Sequence, residues 1–199
     1  MKVGVLGGTF DPVHLGHLLL AERAREALSL DLVLFVPAGE PWRKSHRTIT
    51  HASHRLEMLR LAIAGNDAFG ISDVELQREG PSYTADTLAA LAAERLDDEF
   101  YFIIGADALA DLPNWHEPQR IIEHATLAVA PRDGDPIDLT AITIEGIADR
   151  VVTFTMPRID ISSTDIRARA STGASIRYPT PTPVRAYIEE HGLFQEELR

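Results

Sequence analysis

A chain of 199 residues, 45% hydrophobic and 25% charged, is the size of one globular domain with a sizeable core, and a second domain is not expected. It contains no cysteine, which excludes disulfides and thiolate metal sites and fits a reducing compartment. Its formal net charge of -11 argues against a nucleic-acid or anionic-membrane surface, so any phosphate site must be local and small. No basic segment followed by a long apolar run opens the chain, and nothing approaches the roughly 18 uninterrupted apolar residues of a membrane span. A soluble, cytoplasmic protein is expected.

The first apolar run, residues 3–6, reads as a short buried strand, and residues 15–28 then show helical periodicity. Between them Gly7 and Gly8, and then His14, Gly16 and His17, crowd a strand-to-helix turn. Three residues apart at a helix start, the two imidazoles share one face near the positive end of the helix dipole, and Gly16 between them carries no side chain. Backbone N–H groups and ring donors can converge there on an anion, while the missing Cβ lets a flat ligand approach. The stretch is neither a dinucleotide fingerprint nor a P-loop. Ordinary helix-start histidines around a glycine turn remain the alternative. A metal reading is weaker, since Asp11 is the only nearby carboxylate and has no obvious companion ligand.

A second strand is expected at 32–36, followed by the basic loop Pro41-Trp42-Arg43-Lys44. His46, His51 and His54 lie in a polar loop and the start of a helix over 52–64, and are read as solvated surface. A third strand at 69–72 precedes Ser82-Tyr83-Thr84 and a helix over 85–95. The fourth strand, 100–104, ends at Gly105-Ala106-Asp107, where Asp107 by itself reads as a plain helix N-cap. Trp115 follows in Leu112-Pro113-Asn114-Trp115, by itself a core residue, and then come a helix at 118–124 and a strand at 127–130. After a proline-bounded loop at 131–136 and a strand at 151–154, Ser162-Ser163-Thr164-Asp165 resembles a capping box that opens a helix over 164–170. A proline-rich loop at 178–183 leads into the last helix, 183–191. Strands alternating with helices imply a doubly wound α/β fold with a mostly parallel sheet of order 3-2-1-4-5, whose first and fourth strands bound one crevice.

GGTFDPVHLGH and ISSTDIR, the latter at 161–167, together closely resemble the motifs of the nucleotidyltransferase superfamily, and specifically of the bacterial nicotinate mononucleotide adenylyltransferases. PSYTADTL at 81–88, IIGADAL at 103–109 and the neighbourhood of Trp115 extend the likeness over nearly the whole chain. The resemblance implies a single Rossmann-like nucleotidyltransferase domain over 1–199, with a small helical part from about residue 160. It implies adenylyl transfer from ATP to nicotinate mononucleotide, giving deamido-NAD and pyrophosphate in NAD biosynthesis. His14, His17, Lys44 and Arg167 take the catalytic roles by this likeness. ATP contacts fall on Gly7, Gly8, Thr9, Phe10, His14, Gly16, His17, Gly105, Ser162, Ser163, Thr164 and Arg167, with Gly16 leaving room for the adenosine and the hydroxyls of Ser163 and Thr164 on the β- and γ-phosphates. Contacts to nicotinate mononucleotide fall on Gly8, Lys44, Ser82, Tyr83, Thr84, Gly105, Asp107 and Trp115. For Arg167 the alternative is a surface ion pair with Asp165 or Asp160.

Magnesium would arrive with ATP, held by phosphate oxygens and water rather than by dedicated protein ligands. ATP and nicotinate mononucleotide are the expected partners, nucleic acid and membrane are not, and a homo-oligomer is compatible. Phosphopantetheine or nicotinamide mononucleotide as acceptor, or a non-catalytic nucleotide sensor, are the rival readings; PSYTADTL and Trp115 speak against phosphopantetheine, and two intact phosphate clamps against the sensor. One departure stands out. The family commonly has an apolar Tyr-Leu-Val-Pro run before the last helix, where this chain has Tyr178-Pro179-Thr180-Pro181. That leaves open the local packing, including any subunit contact, and touches no residue assigned to chemistry.

Overall fold

The computed structural model describes residues 1–39, 49–131 and 137–195. Six strands, β1 (Lys2–Gly8), β2 (Leu32–Pro37), β3 (Phe69–Ile71), β4 (Glu99–Gly105), β5 (Ala125–Ala130) and β6 (Val151–Thr153), form one sheet of order β3-β2-β1-β4-β5-β6. Every pairing is parallel. The chain builds outward from β1 to β2 and β3, then returns to lay β4 on the other side of β1, which makes the β1/β4 junction the switch point and opens a crevice at the strands' carboxyl ends. All six strands fall where the apolar runs predict them.

Side chains alternate across the sheet, so each strand feeds two cores. Val3, Val5, Phe100, Phe102 and Leu127 face one layer with Leu88, Leu91 and Ile121 from the helices α3 (Thr84–Glu94) and α5 (Pro118–His124). Val33, Phe35, Ile103 and Ala128 face the other. There they meet α1 (Leu15–Leu28), α2 (Ala52–Ile63), α6 (Ser163–Ser171) and α7 (Thr182–Glu190) through Ala21, Met58, Ile166 and Val184. Each such fully buried Leu, Ile or Phe is worth roughly 1.5–3 kcal/mol relative to exposure. The last two helices thus share a buried cluster with the central strands. Among the described residues, no helix is long and apolar enough to cross a membrane.

One helix has no counterpart in the periodicity: α4 (Ala106–Asp111) follows β4 without a loop. Six residues span less than two turns, too few for an apolar stripe to stand out. Its N-cap is Gly105, so Asp107 is an exposed residue of the first turn and not the cap. At α6 the forward half of the expected capping box is present, with Ser162 Oγ accepting the Asp165 N–H at 3.1 Å. His54 also differs from expectation. It is half-buried, its Nδ1 2.9 Å from the Tyr187 hydroxyl, so it packs against α7 instead of lying in solvent. His51 caps α2, its Nδ1 accepting from the Ser53 N–H.

Candidate active site

The loop from β1 to α1 turns inward, against the usual exposure of loops. Thr9, Phe10, Asp11 and Val13 are buried, and the Asp11–Pro12 peptide bond is cis. Phe10 has φ 49°, a left-handed conformation that a non-glycine residue keeps only when its surroundings over-determine it. They do here. Its ring lies where a Cβ on Gly8 would be, 3.0 Å from that position, and meets Phe35 at 5.8 Å and the His17 ring edge-on at 5.0 Å. On either side of it, a guanidinium holds a carbonyl: Arg55 Nη1 donates to the Thr9 oxygen at 2.9 Å and Arg167 Nη1 to the Asp11 oxygen at 2.6 Å. Phe10 therefore supports the site from below, and only its main chain remains to meet a ligand.

His14 is the N-cap of α1. Its ring stacks on that of His17, centroids 3.7 Å apart. The His14 N–H donates to His17 Nδ1 at 3.2 Å. A neutral His17 that accepts at Nδ1 carries its proton on Nε2, so the ring has one donor with a fixed direction. A Cβ at Gly16 would sit 3.0 Å from His14 Nδ1, so the bare glycine makes room for the His14 ring.

Burial lowers the His14 pKa from 6.5 to about 4, so it is neutral near pH 7. Below the unfolded value of about 6.5 the unfolded chain takes up a proton that the folded chain refuses, and stability is lost as pH falls toward 4. The interval corresponds to about 3 kcal/mol. Urea unfolding at pH 7 and pH 4.5 is expected to show a smaller acid loss for His14→Asn than for the wild type. Parallel losses would assign the acid sensitivity elsewhere.

The second motif folds onto the same loop. Ser163, the first residue of α6, donates its hydroxyl to the Pro12 carbonyl at 2.9 Å, and Arg167 Nη2 donates to Thr164 Oγ1 at 3.2 Å. Here the Ser163 hydroxyl meets the β1–α1 loop, and the N–H groups of Ser163 and Thr164, ahead of any intrahelical acceptor, are further donors of the helix start. Arg167 makes neither of the ion pairs considered for it; Asp160 is bonded by Arg158 instead. The Tyr178-Pro179-Thr180-Pro181 departure lies against the start of α1. The Leu15 N–H, at the first position of α1, donates to the Pro179 carbonyl at 2.9 Å. That acceptor belongs to the main chain, so it survives the replacement of Leu by Pro.

A cavity of about 280 Å³ is lined by Leu20 of α1, by Gly105 and Ala130 at the ends of β4 and β5, by Ala106 and Asp107 at the start of α4, and by 156–160, the segment before the ISSTDIR run. Nothing lies within 4 Å of a Cβ on Gly105, so the crevice floor is open at that point. On the far side, α3 begins at Thr84 with Tyr83 as an N-cap that makes no side-chain cap bond, and Ser82 Oγ accepts the Gly39 N–H at 2.9 Å. Trp115 is half-buried on the edge of a core cluster, edge-on to Phe102 at 6.2 Å, its indole N–H bonded to Asp111 at 3.1 Å. Phe102 also lies 3.8 Å from a Cβ position on Gly7, which joins the tryptophan to the β1 end of the crevice. Lys44, with Pro41, Trp42, Arg43 and His46, lies outside the described residues, as does 132–136 of the proline-bounded loop.

Two residues were not singled out from the sequence. His116 lays its ring 4.1 Å from that of Tyr83, at the start of α3. Arg55 is 2% exposed, and the signal for it existed: it occupies the inward stripe of α2 with Met58 and Leu59, where an arginine must have internal partners.

Residues 5–169 match the family model described as Cytidylyltransferase-like. The chain is 48% identical over 196 residues, 98% of this chain and 92% of the other, to the "Probable nicotinate-nucleotide adenylyltransferase" of Thermomicrobium roseum. It is 49% identical over 195 residues, 97% and 98% of the two chains, to the protein of the same name from Roseiflexus sp.. In fold it is similar to the Plasmodium falciparum nicotinic acid mononucleotide adenylyltransferase complexed with NaAD, with a TM-score of 0.77 over 97% of both chains at 19% identity.

Proposed function

Because this chain belongs to the cytidylyltransferase-like family, and within it to the nicotinate-nucleotide adenylyltransferases, we propose that it transfers the adenylyl group of ATP to nicotinate mononucleotide in NAD biosynthesis. The observation that carries the reading is the convergence of two helix starts on one loop at the carboxyl end of β1, through Ser163 to Pro12 and Arg167 to Asp11. Helix N-termini with oriented donors bind phosphate, and two of them on one loop suit a polyphosphate.

A phosphate oxygen of the mononucleotide attacks the α-phosphorus of ATP, a new P–O bond forms, and the bond from that phosphorus to the bridging oxygen breaks to release pyrophosphate. The nucleophile is already ionised near neutral pH, so no protein base or covalent intermediate is needed. The work of the protein is alignment and charge stabilisation. His17 Nε2–H and Arg167 donate to the phosphates, the first N–H groups of α6 hold the leaving end, and the cavity at Gly105 takes the adenosine. Magnesium suits the oxygens of the triphosphate and would enter as part of the substrate.

The pyridine carboxylate meets the start of α3, where the N–H groups of Tyr83 and Thr84 and the helix dipole favour an anion, with Trp115 and the Tyr83–His116 pair nearby. A carboxamide must turn its NH₂ donors toward donors or leave them unpaired. Pyrophosphate release with nicotinate mononucleotide, nicotinamide mononucleotide and phosphopantetheine tests the function and this preference together. The expected kcat/KM for the nicotinate form exceeds that for the nicotinamide form by at least ~10-fold, equivalent to about 1.4 kcal/mol. Equal efficiency would refute the role of the α3 start, and turnover of phosphopantetheine alone would refute the assigned acceptor.

A further inference from the structure

We propose that Arg55 is a positioning residue for adenylyl transfer, a single guanidinium that keeps the β1–α1 loop in register with the acceptor side of the crevice. The proposal extends the function proposed above and depends on it. Arg55 lies on α2, away from both phosphate-facing helix starts, and its side chain reaches three main-chain carbonyls on three segments. Nε donates to Thr50 at 2.9 Å, Nη1 to Thr9 at 2.9 Å and Nη2 to Gly39 at 3.5 Å.

The location of those carbonyls is what gives the arrangement meaning. The β1–β2 ladder runs in register from Val3 and Leu32 to Gly8 and Pro37, with the Ala38 N–H donating to the Gly8 oxygen at 2.9 Å. There the two chains part. Thr9 and Gly39 are the next residues on each, and Arg55 bridges their carbonyls with the two arms of its planar fork. On the Thr9 side, the following residue is Phe10, whose ring braces His17. On the Gly39 side, the N–H is held by Ser82 Oγ, next to the start of α3, and a Cβ on Gly39 would fall 2.3 Å from the Glu75 carbonyl oxygen. Gly39 therefore cannot drift toward that wall, and a shift of Arg55 passes to both sides. One cation sets the distance between the donor that meets ATP and the helix start that meets the mononucleotide. Burial lowers the Arg55 pKa from its ordinary value, and the carboxylates of Asp11 and Glu75 offset part of that effect.

Alignment of two bound reactants acts on turnover, and a misplacement of about 1 Å can cost on the order of 10²-fold. Arg55→Lys keeps the charge without the fork, and Arg55→Met keeps the bulk without either. Steady-state kinetics at 25 °C, calorimetric titration of ATP alone and of nicotinate mononucleotide alone, and thermal unfolding are measured on both variants and on the wild type. For a variant folded at the assay temperature, kcat is expected to fall at least ~10-fold while each substrate's separate affinity stays within about threefold. A folded variant with kcat within threefold of wild type and only a lower Tm would overturn the proposal, as would a fall fully explained by lost binding of one substrate. Failure of both variants to fold would overturn it as well, since Arg55 would then serve the fold as a whole. A wild type that releases no pyrophosphate would instead refute the reaction itself.

Discussion

Replacing His17 with alanine is expected to lower kcat by about 10²–10³ while changing KM for ATP much less. The reason lies in how the ring is held. With His14 N–H on Nδ1, the His14 ring stacked on one face and Phe10 against it edge-on, the Nε2–H direction is set before any ligand arrives. A donor so fixed costs no reorganisation when charge shifts toward the bridging oxygen, and it gains strength as that charge grows. Ground-state binding is shared with the first N–H groups of α6, so losing one ring removes little of it. Steady-state kinetics on a variant with wild-type far-UV circular dichroism checks the point, and a kcat within threefold of wild type would remove His17 from the mechanism.

Arg167→Lys is the second large effect, on the order of 10² in kcat/KM, in both the forward direction and pyrophosphorolysis. One edge of the guanidinium is engaged with the Asp11 carbonyl and Thr164 Oγ1. The rest of a five-donor fork remains, so on the proposed function a single group both ties α6 to the β1–α1 loop and would donate to phosphate. A lysine ammonium can satisfy the carbonyl or the phosphate, and it cannot present two parallel bonds to either. Intact kinetics with a lower Tm would leave Arg167 as a tie between loop and helix only.

The fold was legible because its information is local. Apolar runs such as Phe100 to Ile104 bury both faces and need no partner to be recognised, and α1 and α6 announce themselves through His14 to His17 and the Ser162 cap. What escaped was whatever depends on a distant stretch of backbone. Arg55 binds three carbonyls, and a carbonyl is present in every residue, so no side-chain pattern marks Thr9, Gly39 or Thr50 as its targets. The bond from the Ser163 hydroxyl to the Pro12 carbonyl spans most of the chain, and nothing in the ISSTDIR run foretells it. His116 acquires interest only from the ring of Tyr83 beneath it, and α4 is too short to carry a period.

The bond from Leu15 to Pro179 has a consequence for the order in which the molecule comes into being. The histidine motif is made first during synthesis, yet the first amide of its helix finds its acceptor near the opposite end of the chain, and Asp11 and Pro12 wait for Arg167 and Ser163. A chain whose residues beyond about 160 have not yet docked has β1 to β5 in place and Arg55 to hold Thr9, yet it lacks the contacts from Arg167, Ser163 and Pro179 to the other side of the motif. The geometry around the two histidines is therefore completed only when the last two helices close over it.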